Sequence, residues 1–225
     1  MNRGELNFSV QAELERLQGR HPDLTEFLTQ MAGHVEVVLF GGFVRDAIHN
    51  LVHGEQIDPR DLDVVIDADL PAELATPSRT NFGGYRRTFP DGFEFDYWEL
   101  ASTYAFKQGI LAVSLENLLI STVFTINACY FEWSSGRLRY KDAVDDISHR
   151  RIAFNCRDYL HHYPQYQAYR AMSYADRLGY TLEPDVLDFV TTILQESEPK
   201  LFAREVLKHR RVSEAQLAEL VQKYT

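Results

Sequence analysis

A chain of 225 residues with 45% apolar and 12% aromatic side chains can bury one substantial core, or a head with a small helical annex. The formal net charge of −10 arises entirely in the first 150 residues, because residues 151–225 hold ten basic and ten acidic side chains. No Lys/Arg stripe runs along the sequence, which argues against unaided grip on a long nucleic acid; such a partner would be held weakly or with a basic protein. No apolar run approaches the roughly 18 residues of a membrane span, and Met1-Asn2-Arg3-Gly4-Glu5 lacks the apolar core of a secretion signal. A cytoplasmic location is expected, with Cys129 and Cys156 as free thiols.

Residues 9–31 read as helix, with Ser9 as a cap, Pro22 at a break, and Leu14, Leu17, Leu24, Phe27, Leu28 and Met31 at helical spacing. Val35 to Phe40 is an apolar strand suited to a central sheet position, followed by Gly41-Gly42 and a helix over Val44 to Val52 that stops near Gly54. Leu62 to Ile66 is a second strand, and Pro71 to Pro77 forms a connector or a short helix. Tyr85–Thr88 and Phe93–Trp98 pair around Pro90-Asp91-Gly92; Phe124–Trp133 and Arg137–Tyr140 form another hairpin around Ser134-Ser135-Gly136. Beyond Ile152–Phe154 the pattern turns helical, near 165–178, 184–195, 199–209 and 214–224, and Ser213 with Gln216 makes a capping box. The expected architecture is α+β or α/β: amino-terminal helices over 1–34, a head over 35–154 with a mixed sheet of about five strands and helices on one side, and a helical annex over 155–225.

Chemistry concentrates in two places. Gly41-Gly42 ends a strand and opens a helix, where backbone N–H groups can approach a polyphosphate. Asp61 and Asp63 then sit two apart on a strand and project from one face, while Leu62 and Val64 point to the other. Carboxylates this close repel one another unless a cation lies between them, and Mg²⁺ suits an oxygen site that also shares substrate phosphates. Glu94, Asp96 and Trp98 share one face of a later strand, with Phe93, Phe95 and Tyr97 on the other, so Asp96 offers a third carboxylate for a two-metal site, as ligand or as base. Each motif alone has an ordinary structural reading, as a tight turn or a polar strand end; their order and their two apolar strands favour the functional one.

Gly41-Gly42-Phe43-Val44-Arg45-Asp46 and Asp61-Leu62-Asp63 resemble the head domain of class II CCA-adding enzymes and bacterial poly(A) polymerases, in the DNA polymerase β-like nucleotidyltransferase superfamily. Phe124-Thr125-Ile126-Asn127-Ala128, Gly136 to Asp142 and Arg170 to Tyr180 resemble later motifs of that family in the same order, so the likeness runs from about Val35 to Tyr180. The resemblance implies a polymerase β-like fold and Mg²⁺-dependent transfer of NMP from an NTP, ATP by default, to a hydroxyl of an RNA 3′ end, a protein or a small molecule. It implies two Mg²⁺ ions on Asp61, Asp63 and Asp96, phosphates cradled by Gly41 and Gly42, and a triphosphate held by Arg45. It further implies a turn tied by Asp46 and a sugar contact from Asn127. Arg170 and Arg177, two helical turns apart, and Lys107 are further candidates for the phosphates.

Departures from the family are as informative. Ser121-Thr122-Val123 stands where the family has Arg-Arg-Asp, and Tyr163-Pro164-Gln165-Tyr166-Gln167 stands where it has the base-reading Glu-Asp-x-x-Arg. An extra loop, His53 to Arg60, lengthens the interval between the glycines and the aspartates. Transfer chemistry is expected to be kept and base selection rebuilt, in a stand-alone relative and not a CCA-adding enzyme. Tyr159, Tyr163, Tyr166 and Tyr169 are candidates for a stacking platform or for annex packing. The alternative is a nucleotide-binding regulatory or antitoxin-like partner that transfers nothing. His49 with His53, and His161 with His162, lack a third ligand and are expected to be structural.

Overall fold

Leu6, Val10, Leu14 and Leu17 form the buried stripe of α1 (Arg3–Arg20) in the computed structural model, which describes residues 2–76, 78–80, 83–158, 160–209 and 212–225. Tyr159, Arg210, Arg211 and Pro77 lie outside the described residues. The first helix starts earlier than its apolar spacing suggested, because Asn2 caps it: the Asn2 side chain accepts from the Glu5 N–H, and the Glu5 carboxylate accepts from the Asn2 N–H. Ser9 is therefore a mid-helix residue and donates to the Ala47 carbonyl at 3.2 Å. Pro22 opens α2 (Pro22–Ala32), where its missing N–H costs nothing.

β1 (Val37–Phe40), α3 (Gly42–His53), β2 (Asp61–Ile66), β3 (Tyr85–Thr88) and β4 (Glu94–Glu99) follow. After α4 (Tyr104–Lys107) and α5 (Leu115–Ile120) come β5 (Cys129–Glu132), β6 (Arg137–Tyr140) and α6 (Ala143–Ser148). The strands form one six-stranded sheet, one more than the rough count from sequence, in the order β3-β4-β2-β1-β5-β6. Only the β2–β4 pair is parallel; the others are antiparallel.

Period-two burial sorts the two sheet faces. Leu62 and Val64 of β2 and Phe95 and Tyr97 of β4 are buried, and Phe27 of α2 meets Phe95 edge-on with ring centroids 5.4 Å apart. Helix α3 packs on β1, β2 and β5. The opposite face carries Asp61, Asp63, Glu94 and Asp96, half-buried, with Phe40 and Trp98 in edge-to-face contact.

Phe124 to Trp133 is not one strand. Thr125–Asn127 forms a 3₁₀ turn and pairing begins only at Cys129. The turn is fastened from outside the hairpin: the Thr125 N–H donates to Ala153 at 3.0 Å, and Phe124 bridges Phe154. It turns Asn127 inward, toward α3.

The remaining chain builds β7 (Arg151–Ile152), α7 (Pro164–Leu178), β8 (Thr181–Leu182), α8 (Pro184–Glu196), α9 (Pro199–Leu207) and α10 (Glu214–Gln222). β7 and β8 pair in parallel, and α7 packs against α8, α9 and α10. Tyr166 is buried beside Tyr169 and His209 and packs the annex, whereas Tyr163 is 48% exposed, at a left-handed φ of 58°. His161 and His162 precede α7, and their rings lie 3.9 Å apart instead of diverging on a helix.

Candidate active site

Asp61 and Asp63 project from the same face of β2, as alternation requires, and the parallel register sets Asp63 beside Asp96 and Asp61 beside Glu94. Four carboxylates thus share a patch on strands about 4.8 Å apart. An arginine also enters the patch. Arg86 of β3 pairs across from Asp96, donating from Nε to Oδ1 at 2.7 Å and from Nη2 to Oδ2 at 2.6 Å, while its Nη1 lies 3.0 Å from a Glu94 oxygen. These bonds to Asp96, with the charges of Glu94 and Asp61, outweigh partial burial and raise the Arg86 pKa.

An all-oxygen donor set fits Mg²⁺ better than a soft metal. Asp61 and Asp63 bring two carboxylates from one strand face to a divalent ion, and Asp96 joins them only by giving up its guanidinium partner. Among the described residues, no group of three or more His, Cys, Asp or Glu side chains is already drawn together as a metal cage.

The strand-to-helix turn lies at the end of β1. Gly41 adopts φ 66° and ψ −112°, a backbone conformation reserved for glycine, and its N–H donates to the Cys129 carbonyl at 3.1 Å. A Cβ on Gly42 would meet only the Arg45 guanidinium at 3.7 Å, so Gly41 is the position whose backbone demands glycine. Gly41→Ala is expected to lower stability by about 1–3 kcal/mol, read as a lower urea midpoint with unchanged slope.

Arg45, Asp46, Asn127, Arg170 and Arg177 come together in one network. Asp46 accepts from Arg45 Nε at 2.8 Å and from Arg177 Nη2 at 3.1 Å; Arg45 Nη1 donates to Asn127 Oδ1 at 2.8 Å. The Arg45 guanidinium lies over the Tyr174 ring, 4.9 Å from its centroid. Asn127 Nδ2 donates to the Tyr174 hydroxyl at 3.3 Å, which also accepts from Arg170 Nη2 at 3.0 Å. Burial opposes the charge on Arg45, but Asp46 outweighs it and the pKa rises; Arg177 is lowered by burial and then by the like charge of Arg45. Among the described residues, Nε of Arg177 is buried without an acceptor. Two arginines, Arg45 and Arg177, share the single carboxylate of Asp46, which leaves this trio cationic beside the glycine turn. The network is also a tie between α3, the 3₁₀ turn and α7, with Arg45 only 3% exposed.

Two candidate residue types find ordinary roles. His49 is buried, its Nδ1 2.7 Å from the Tyr180 hydroxyl and its Nε2 2.9 Å from a Glu55 oxygen, while His53 Nε2 bonds the Ile147 carbonyl. Cys129 is buried and free, its thiol pushed up to about 12 by burial, and Cys156 is free and half-buried. Burial pushes His49 below the usual histidine value, partly offset by Glu55, and burial does the same to His209. Below about pH 6.5 the unfolded chain takes up protons that the folded chain refuses, so stability falls as pH drops through that window. Melting temperature is expected to fall between about pH 7.5 and about pH 5.5, less steeply in His49→Gln.

Sequence reasoning missed Arg86 and Tyr174. Arg86 was visible as one of an exposed-looking Arg86-Arg87 pair, and the hairpin centred on Asp91 already sets residue 86 opposite residue 96. Lys107 lies exposed on α4, near Gly83.

No family model and no curated protein matches the chain. Among solved structures, a CCA-adding enzyme in complex with CTP is similar over 90% of this chain and 51% of its own, at TM-score 0.59 and 17% identity. The Thermotoga maritima CCA-adding enzyme complexed with tRNA gives 0.56 and 17%, over 90% of this chain and 51% of its own. A tRNA nucleotidyltransferase with a primer tRNA and an incoming ATP analogue gives 0.57 and 20%, over 88% and 60%. The chain spans half to three-fifths of the length of these proteins. No helix among the described residues is long and apolar enough to cross a membrane. The fold is the nucleotidyltransferase head fold of the CCA-adding enzymes, reached at low sequence identity.

Proposed function

We propose that this protein is a divalent-cation-dependent nucleotidyltransferase that moves NMP from an NTP, ATP being the first donor to test, to a hydroxyl acceptor. The observation that carries this reading is the shared face of Asp61 and Asp63, in register with Asp96 on the adjacent parallel strand. Asp61 and Asp63 would hold Mg²⁺, with Asp96 as third ligand or base. Mg²⁺ there supplies charge neutralisation for the phosphates and a more acidic acceptor hydroxyl. The first N–H groups of α3 lack intrahelical acceptors and would receive the phosphates, backed by the cationic Arg45–Arg177 network. The acceptor oxygen attacks the α-phosphorus, the bond to the bridging oxygen breaks, and pyrophosphate leaves with that electron pair. The hydroxyl proton passes to the carboxylate face.

Solved structures of the same fold hold CTP, ATP or tRNA, so an RNA 3′ end is the first acceptor to try, with a basic protein partner supplying the grip that a chain of net charge −10 lacks. Protein and small-molecule hydroxyls follow. One observation favours a second reading, a nucleotide-binding partner that transfers nothing: Arg86 already engages both oxygens of Asp96. Incubation with each α-labelled NTP, Mg²⁺ and total RNA or lysate from the source cells separates the two. Label on an RNA or protein band supports transfer. Nucleotide binding without label on any acceptor supports the second reading.

A further inference from the structure

The Arg86 contact has a consequence for how the carboxylate face works. Asp96 is 14% exposed in its side chain, Arg86 30% and Glu94 29%, so the clamp sits at the solvent edge of the patch, not in the core. The strand beneath it is firmly held: the Tyr85 ring stacks on Tyr97 at 5.0 Å, and a Cβ on Gly84 would come within 3.0 Å of the Tyr97 carbonyl. β3 therefore stays in place, and the movable part is the long Arg86 side chain. A planar guanidinium matches a carboxylate as a two-point fork, and it matches a phosphate equally well. While it grips Asp96 it offsets that carboxylate's charge and occupies both of the oxygens that a cation would take.

We propose that Arg86 is a latch on the third carboxylate: without nucleotide it holds Asp96 and Glu94, and an arriving triphosphate takes over its guanidinium and releases Asp96 to the divalent ion. Arg86 is then a positioning residue that makes metal binding conditional on nucleotide, and the coupling is reciprocal. This rests on the transferase reading of the Asp61/Asp63 face.

The test uses the full chain, Mn²⁺ followed by electron paramagnetic resonance, and α,β-methylene-ATP in metal-free buffer. In Arg86→Gln, nucleotide-free Mn²⁺ binding is expected to tighten by about tenfold or more, and metal-free binding of the analogue is expected to weaken by about tenfold. Opposite signs set the latch apart from a structural residue, whose loss would weaken both. Adding Asp96→Asn to Arg86→Gln should remove the gain in Mn²⁺ affinity. Arg86→Lys, which keeps the charge without the fork, should fall between the two; it also serves if the glutamine variant does not fold. Equal Mn²⁺ affinity in wild type and the folded Arg86 variants, abolished in both by Asp61→Asn with Asp63→Asn, would overturn the latch and leave the site standing. Failure of every form to bind Mn²⁺ would overturn the site reading and the latch with it.

Discussion

Replacing Asp61 and Asp63 together by asparagine is expected to leave the protein folded and to cut nucleotidyl transfer by at least about 100-fold. The magnitude follows from a bound: residues that only support metal ligands typically cost 10- to 100-fold when removed, so two direct ligands cost no less. The fold should hold, because both side chains are only half-buried on one strand face and asparagine keeps their shape. Single-turnover label transfer and a melting curve on the same preparation check both halves. Transfer within threefold of wild type would remove the pair from the chemistry.

Asp46→Ala is expected to be the most destabilising single change in the site. Asp46 is 4% exposed and is the carboxylate that meets both Arg45 and Arg177. Its loss leaves the buried Arg45 and the half-buried Arg177 guanidinium groups without that shared counter-charge. Breaking a buried pair by removing one partner costs about 3–5 kcal/mol. For a chain of this size that corresponds to a melting temperature lower by roughly 10 °C. Arg177→Met should cost less, since Arg45 keeps Asp46 and Asn127 as partners. An alanine variant that melts within about 2 °C of wild type would mean that the network does not carry the junction between α3 and α7.

What could be read from the sequence was local. Alternation set Asp61, Asp63 and Asp96 on the sheet face opposite the core because a strand's period of two leaves no other choice once Leu62, Phe95 and Tyr97 are buried. Pro22 and Gly54 marked helix boundaries through backbone geometry alone. The buried arginine network was not legible: Arg45 meets Asn127 across 82 positions and Asp46 meets Arg177 across 131, and no local pattern encodes such pairings. A polar Arg-Asp pair at a helix start reads as solvent-facing or ligand-facing, yet here three distant side chains desolvate it. The 3₁₀ turn at Thr125–Asn127 was hidden in the same way, since the bonds that fasten it come from Ala153 and Phe154. Arg86 was within reach, because its place opposite Asp96 needs only a hairpin register.

Position-specific labelling tests nucleotidyl transfer most directly. ATP carrying label at either the α- or the γ-phosphorus is incubated with the protein, Mg²⁺ and RNA from the source cells. Nucleotidyl transfer leaves α-label on the acceptor and γ-label in free pyrophosphate, in equal amounts and only with the divalent ion present. Label from the γ-phosphorus on the acceptor, or bound ATP that yields neither product with RNA, protein or small-molecule acceptors, would contradict it.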